Sequence, residues 1–409
     1  MSELINNREH RQEKLKQLIK KLHDGASVEQ VQEEFNKLTT GVTATEITEM
    51  EQALVNEGMP VADIQRLCDV HAAVFKGAIE DIHNDDAYKN DEFEAGHPVN
   101  TFKLENRAIE RLLENEISKN KDDKENLKAA VKKLKEIDKH YKRKENLIFP
   151  IMEKYNITAP PQVMWGVDDE IRELIKTVLE DLESGRGTAK EEKIDEMVNR
   201  IKEMIFKEEE IMFPMILDKF TPDEWHQIEK DSAEIGYTLI DVPKRWSPAS
   251  AEQGENNGDE SRQDLESSTV IGADTQTKVM FDAGSLTSEE INSILNTVPI
   301  DMTFVGADNR VKYFTQGKER IFARPKTIIG REVKNCHPPK SVHIVEQIVE
   351  DLRTGKKDNE DFWIRMGDMF VYIRYFAVRN KKGEFLGTLE ISQNIKPITE
   401  LEGEKRLMS

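Results

Sequence analysis

Two segments, His140-Tyr-Lys-Arg-Lys-Glu-Asn-Leu-Ile-Phe-Pro150 and Met204-Ile-Phe-Lys-Glu-Glu-Glu-Ile-Met-Phe-Pro214, repeat one charged pattern that closes on Phe-Pro. Each sits in a long stretch with helical apolar periodicity. Four such stretches run roughly 97–120, 123–154, 160–184 and 187–218, parted by polar or Pro/Gly breaks. A helix with one apolar stripe must bury it, and short breaks make neighbours antiparallel, so the region reads as an up-down-up-down four-helix bundle. Thr221-Pro-Asp-Glu224 is a capping box with proline at the first helical position and adds a short terminal helix.

The flanks read differently. Leu15, Leu18, Ile19 and Leu22 form one helical face, and Ser27-Val-Glu-Gln30 opens a second helix as a capping box. A later stripe, Ile64, Leu67, Cys68, His71, Phe75 and Ile79, makes Cys68 and His71 core residues; His10 and His23 lie among charges and are solvated. Residues 1–85 are therefore a small helical module, and 86–240 hold the bundle. Residues 241–280 are an acidic, flexible linker: Ser, Gly, Asn, Gln and Glu dominate 247–279, where no aromatic appears and acidic residues outnumber basic ones.

Within 281–400 the period changes. Thr287-Ser-Glu-Glu290 caps a short helix, and strands are expected at Ile300–Gly306 and Val311–Phe314 across an Asp308-Asn309 turn. A helix at Ser341–Leu352 is followed by strands at Asp361–Met366, Phe370–Val378 and Phe385–Ser392, an α+β arrangement. The fold class is thus multidomain: an all-α module and bundle, then an α+β domain.

The repeated segments resemble the HxxxEExxxFP motif on helices two and four of hemerythrin-like (HHE cation-binding) bundles, and Gly96-His97-Pro98 and Asp168-Asp-Glu-Ile-Arg172 resemble the family's stations on helices one and three. With its flanks, nearly the whole chain resembles a bacterial three-module group: an N-terminal domain of unknown function, a hemerythrin-like bundle and a PAS domain. The resemblance implies His and carboxylate ligands for iron, di-iron or mononuclear, carried onto His97, His140 and Glu208. Three positions depart from it: Asp168 and Met204 stand where histidines belong, and Lys144 stands at a carboxylate position with Glu145 one residue on. Periodicity puts Glu208 in the middle of the apolar stripe Ile201, Met204, Ile205, Ile211, Met212 and Met215, and a carboxylate there needs a cation. Two cations can serve: a metal held with His97, Glu105, His140 and Asp168, or the Lys144 ammonium beside neutral core histidines. A metal in this O/N set would be iron, manganese or zinc rather than copper.

Residues 287–396 resemble a PAS domain, through Ile294-Leu-Asn-Thr-Val-Pro299, Ile329-Gly330 and the hairpin closing at Gly383-Glu-Phe-Leu-Gly387. The resemblance implies a sensor whose sheet covers one small pocket. Thr315 replaces the usual Asn after the second strand, which implies loss of a hydrogen bond common in the family. In Asn335-Cys-His-Pro-Pro-Lys-Ser-Val-His343, Pro338-Pro339 forces an extended entry and Ser341 can cap the helix. His343 then lies near the place of the proximal histidine of haem-binding PAS domains, turned toward the sheet, with His337 and Cys336 as further haem ligands. The other reading leaves the pocket to a small molecule or to none.

Charge and motif content narrow the function. With 59 Lys plus Arg against 79 Asp plus Glu, the net charge of −20 disfavours a nucleic-acid surface, which needs clustered cations. No stretch approaches a membrane span, Met1–Lys20 is unlike a signal peptide, and two distant cysteines form no disulfide framework, so a cytoplasmic protein is expected. Phosphate loops, Ser/His/Asp arrangements, CxxC and HExxH motifs are missing, so the chain is expected not to be an enzyme. The leading expectation is a sensor of oxygen, nitric oxide or redox state through iron, haem or a small ligand, acting on an unidentified protein effector, with homo-oligomerisation open. The alternatives are an iron-handling or repair protein, or an adaptor whose two sites are vestigial.

Overall fold

In the computed structural model the described residues are 94–184, 191–217, 219–246 and 278–404, with isolated positions up to Gly58. The reading of Cys68, His71, His10 and His23, the helical module as a whole, and most of the linker lie outside them. The chain divides into two compact units between Glu252 and Gln253.

The first unit is helical: α1 Pro98–Leu112, α2 Lys124–Leu134, α3 Ile137–Arg143, α4 Phe149–Lys154, α5 Ala159–Glu183, α6 Glu191–Lys207, α7 Phe213–Leu217 and α8 Pro222–Ile235. The second predicted stretch is α2, α3 and α4 in series, and the fourth is α6 followed by α7. Their apolar stripes meet in one core, in which Leu113, Val131, Leu147, Ile171, Ile201 and Met204 are fully buried. Met204, standing where the resemblance places a histidine, is a core residue.

Wide π turns span Lys144–Ile148 and Glu208–Met212, directly before the two Phe-Pro pairs. A proline inside a helix removes one backbone bond and presses on the carbonyl four residues back. The wide turn takes this up: the Phe149 N–H donates to the Lys144 carbonyl and the Phe213 N–H to the Glu208 carbonyl. The repeated motif thereby fixes the local backbone at Lys144 and Glu208.

Thr221 and Glu224 form both halves of the capping box that opens α8. Gly236, at φ 93°, then ends that helix, and residues 237–246 run without regular structure as a strap. The strap passes the start of α1 so closely that a Cβ on Gly96, itself at φ 98°, would lie 2.1 Å from the Lys244 carbonyl oxygen.

Among the described residues the second unit starts with a hairpin, β1 Lys278–Phe281 against β2 Gly284–Thr287, so a strand lies partly inside the stretch read as linker. α9 Ser288–Thr297 follows, with the Thr287–Glu290 capping box complete. Next come β3 Asp301–Gly306, β4 Val311–Phe314, α10 Pro339–Thr354, β5 Asn359–Met366, β6 Met369–Arg379, β7 Phe385–Asn394 and α11 Lys396–Thr399. The five-stranded sheet has the order β4-β3-β7-β6-β5 and is antiparallel throughout.

Register sorts its side chains. Asp301 pairs with Ser392, Thr303 with Glu390 and Val305 with Thr388, so these six share one face. Asp301, Thr303, Val305, Thr388 and Ser392 are buried, which marks that face as the covered one. Ile328, from the segment before α10, packs with Val305, Val311 and Phe314. α10 begins at Pro339, with Pro338 as its cap. Ser341 therefore lies inside the first turn, where its hydroxyl donates to the Pro338 carbonyl at 3.0 Å rather than capping the helix.

Candidate functional site

Four helical segments bring one buried charge cluster together. Glu105 comes from α1, His140 and Arg143 from α3, Asp168 from α5, and Lys144 and Glu208 each open a π turn; all six are buried. The Lys144 ammonium lies 2.9 Å from Asp168 Oδ1 and 2.6 Å from Glu208 Oε1, with the Tyr141 ring 4.5 Å from Nζ. His140 Nδ1 is 2.8 Å from Glu105 Oε2 and its Nε2 is 3.0 Å from Glu208 Oε2. Both ring nitrogens face carboxylates, an arrangement in which both can donate and which favours the imidazolium. Arg143 Nη2 donates to the same Glu105 Oε2. Asn106 Nδ2 donates to Glu208 Oε2 at 3.1 Å, and the Thr238 N–H of the strap donates to Glu105 Oε1 at 2.5 Å.

Titration follows from these contacts. Burial penalises the His140 imidazolium, but Glu208 and Glu105 outweigh it and its pKa is raised. Burial likewise opposes the Lys144 ammonium, and Asp168 and Glu208 reverse the sign. Glu208 is driven down to about 2: burial pushes it up, but Lys144 and His140 overcome that. Asp168 is instead raised to about 6, because for it burial beats Lys144. Three carboxylates, Glu105, Asp168 and Glu208, thus face three cations, His140, Arg143 and Lys144.

This arrangement does not fit a metal ion. Lys144 stands between the two carboxylates that would be ligands, and both nitrogens of His140 are occupied. Of the Glu105, Asp168 and Glu208 carboxylate oxygens, only Asp168 Oδ2 has no hydrogen-bond partner. Among the described residues no group of three or more His, Cys, Asp or Glu side chains is disposed to hold a metal. His97 plays a different part: its Nδ1 accepts the Val99 N–H at 3.2 Å as the cap of α1, and its ring packs on Trp225 and Trp246. Burial lowers its pKa to about 4, against the pull of Glu94. Glu145, the carboxylate beside Lys144, pairs with both terminal nitrogens of Arg172 at 2.8 and 3.0 Å.

The sequence reading missed Arg143, Asn106, Tyr141 and Thr238. Arg143 and Tyr141 had a signal, since residues three apart share a helical face: His140 with Arg143, and Tyr141 with Lys144. Thr238 had none. Its hydroxyl accepts the His140 N–H at 3.1 Å and donates to the Glu136 carbonyl at 2.8 Å, meeting backbone groups freed where α2 breaks into α3.

In the second unit the residues proposed for haem are not brought together. His343 is exposed on α10. The Cys336 thiol lies 3.6 Å from the Glu332 carbonyl, and His337 Nδ1 lies 2.9 Å from the Val333 carbonyl. The covered sheet face mixes apolar Val305, Phe314, Val371 and Ile373 with polar side chains from β3 and β7. Arg324 bridges Asp301 Oδ2 at 2.6 Å and Glu390 Oε1 at 2.8 Å, while Asp301 Oδ1, Thr303 Oγ1 and Thr388 Oγ1 are buried without a hydrogen-bond partner. Thr315, which stands in place of the usual Asn, accepts the Met302 N–H on its hydroxyl at 2.9 Å.

A helical bundle with inward His, Glu and Asp, followed by this five-stranded antiparallel sheet, defines a hemerythrin-like protein joined to a PAS domain. Comparison with known families agrees: residues 15–81 match a family of unknown function (DUF438), 97–216 the hemerythrin HHE cation binding domain and 291–396 a PAS domain. The chain is a three-module protein of that order. Among solved structures, a C-terminal domain from Streptococcus mutans is 39% identical, covers 32% of this chain and 100% of its own, and has a TM-score of 0.30. A PAS domain from Colwellia psychrerythraea is 15% identical over 27% of this chain and 97% of that one, with a TM-score of 0.23. A sensory box sensor histidine kinase from Vibrio cholerae is 9% identical over 25% and 87%, with a TM-score of 0.20. No curated protein matches. Among the described residues no helix is long and apolar enough to cross a membrane.

Proposed function

We propose that this chain is a non-enzymatic, cytoplasmic sensory protein whose PAS domain receives a small polar ligand and which signals through a partner protein. The observation that carries the reading is the covered sheet face, where Asp301 Oδ1, Thr303 Oγ1 and Thr388 Oγ1 are buried without partners. An unpaired buried polar atom costs about 1–3 kcal/mol, so three on one face call for a ligand or ordered water that supplies the missing bonds. Asp301 and Glu390 outnumber Arg324 in charge there, which favours a ligand rich in N–H or O–H donors.

The test is thermal unfolding of the full chain against short amines and polyols, repeated on Thr303→Val/Thr388→Val. The reading expects a rise in the PAS transition that the double variant loses. A rise of equal size in the double variant, or none with any compound, would sink it. The competing reading, iron handling by the bundle, draws its support from the cation-binding description of the matched family. Stoichiometric iron in the purified protein would favour it.

A further inference from the structure

The bundle poses a question the sensory reading leaves untouched. A fully buried ammonium needs three acceptors, and Lys144 has three: Asp168 Oδ1, Glu208 Oε1 and the Tyr141 ring. Around it, Glu105, His140, Asp168 and Glu208 come one from each of four helical segments, and they are the oxygen and nitrogen donors that divalent first-row metals take. Lys144 and an imidazolium His140 together carry the charge of one divalent ion. We propose that Lys144 is the resident cation of this bundle, a covalently tethered substitute for a divalent metal, and that removing its charge opens a divalent-cation site on the freed carboxylate oxygens of Asp168 and Glu208. A tethered ammonium cannot dissociate, so the bundle would keep its charge balance at any metal concentration.

The test uses the full chain, dialysed with Mn²⁺ or Zn²⁺ and then freed of loose ions, with metal content and melting temperature as readouts. The unaltered protein should hold no stoichiometric metal, and its melting temperature should ignore both added metal and chelator. Lys144→Ala should take up stoichiometric metal and regain melting temperature when it does so, and Lys144→Ala/Glu208→Gln should lose that uptake. Should Lys144→Ala not fold, Lys144→Gln keeps a hydrogen-bond donor without the charge and serves the same test. Stoichiometric metal in the unaltered protein, with a fall in melting temperature on chelation, would overturn the proposal. So would a folded Lys144 variant that takes up no metal.

Discussion

Replacing Lys144 by methionine removes one charge and keeps most of the side-chain volume, so little cavity cost is added. What remains is electrostatic. Asp168 Oδ1 and Glu208 Oε1 both lose their cation in a site with no exposure. Breaking a buried pair by deleting one partner costs about 3–5 kcal/mol, because the survivor stays charged and dry. Two features place this case near the lower end. Asp168 already titrates at about 6, so taking up a proton at pH 7 costs it only about 1.4 kcal/mol. Glu208 retains His140 and Asn106 on its other oxygen. The expected loss at pH 7 is therefore about 3 kcal/mol, and it should shrink by pH 5, where Asp168 is mostly neutral already. Urea unfolding followed by helical circular dichroism reads this as a midpoint lower by about 1.5 M, for an m of about 2 kcal/mol/M. An unchanged midpoint at pH 7, or a larger loss at pH 5 than at pH 7, would refute the reasoning.

Three further outcomes follow from the geometry. His97 accepts a hydrogen bond only when neutral, and its folded pKa of about 4 lies below its ordinary 6.5; it therefore costs the fold about 3 kcal/mol as pH falls from 6.5 to 4. Asp168, raised to about 6, gains stability over an overlapping range, so the effect is read by difference: His97→Asn, a non-titrating cap, should become more stable relative to the unaltered protein as pH drops, and parallel pH profiles would dismiss the idea. Thr238→Val should cost about 1–2 kcal/mol and speed amide exchange at His140, since the buried N–H loses its acceptor; unchanged exchange there would count against the strap. His343→Ala should leave the visible spectrum of the haem-treated protein unchanged, and a Soret band lost only in that variant would restore His343 as a ligand.

The architecture was readable because its signals are local. Helical stripes, the two capping boxes and alternating strands each need only neighbours a few residues apart, and the observed elements lie close to the expected ones. The ligand reading was harder, since it turned on where a side chain points. A haem-ligating His343 would have to face the sheet, yet α10 presents Val342, Val345, Val349 and Leu352 as its inward stripe, and a residue next to Val342 is turned by about 100° from it. His97 was read as a ligand when its place before Pro98 makes it a cap. The Lys144–Glu208 pair was visible as a choice between two cations. The charge on His140 was not, because it depends on Glu105 reaching the second ring nitrogen from another helix.

Glu105 is the residue through which the cluster and the strap depend on each other. One of its oxygens serves His140 and Arg143 inside the bundle, and the other accepts the Thr238 N–H from the strap. Arg143 is shared in the same way, with Phe102 of α1 at 4.5 Å on one side and Tyr237 of the strap at 4.8 Å on the other. At its far end the strap is held by Trp246, which packs on His97 and donates to Glu94 at 2.9 Å. Truncating Glu105 removes the acceptor of the Thr238 N–H, and moving the α3 backbone at His140 removes the donor to the Thr238 hydroxyl. The buried charge cluster and the strap thus share two residues, Glu105 and Arg143, and neither can be truncated without touching both.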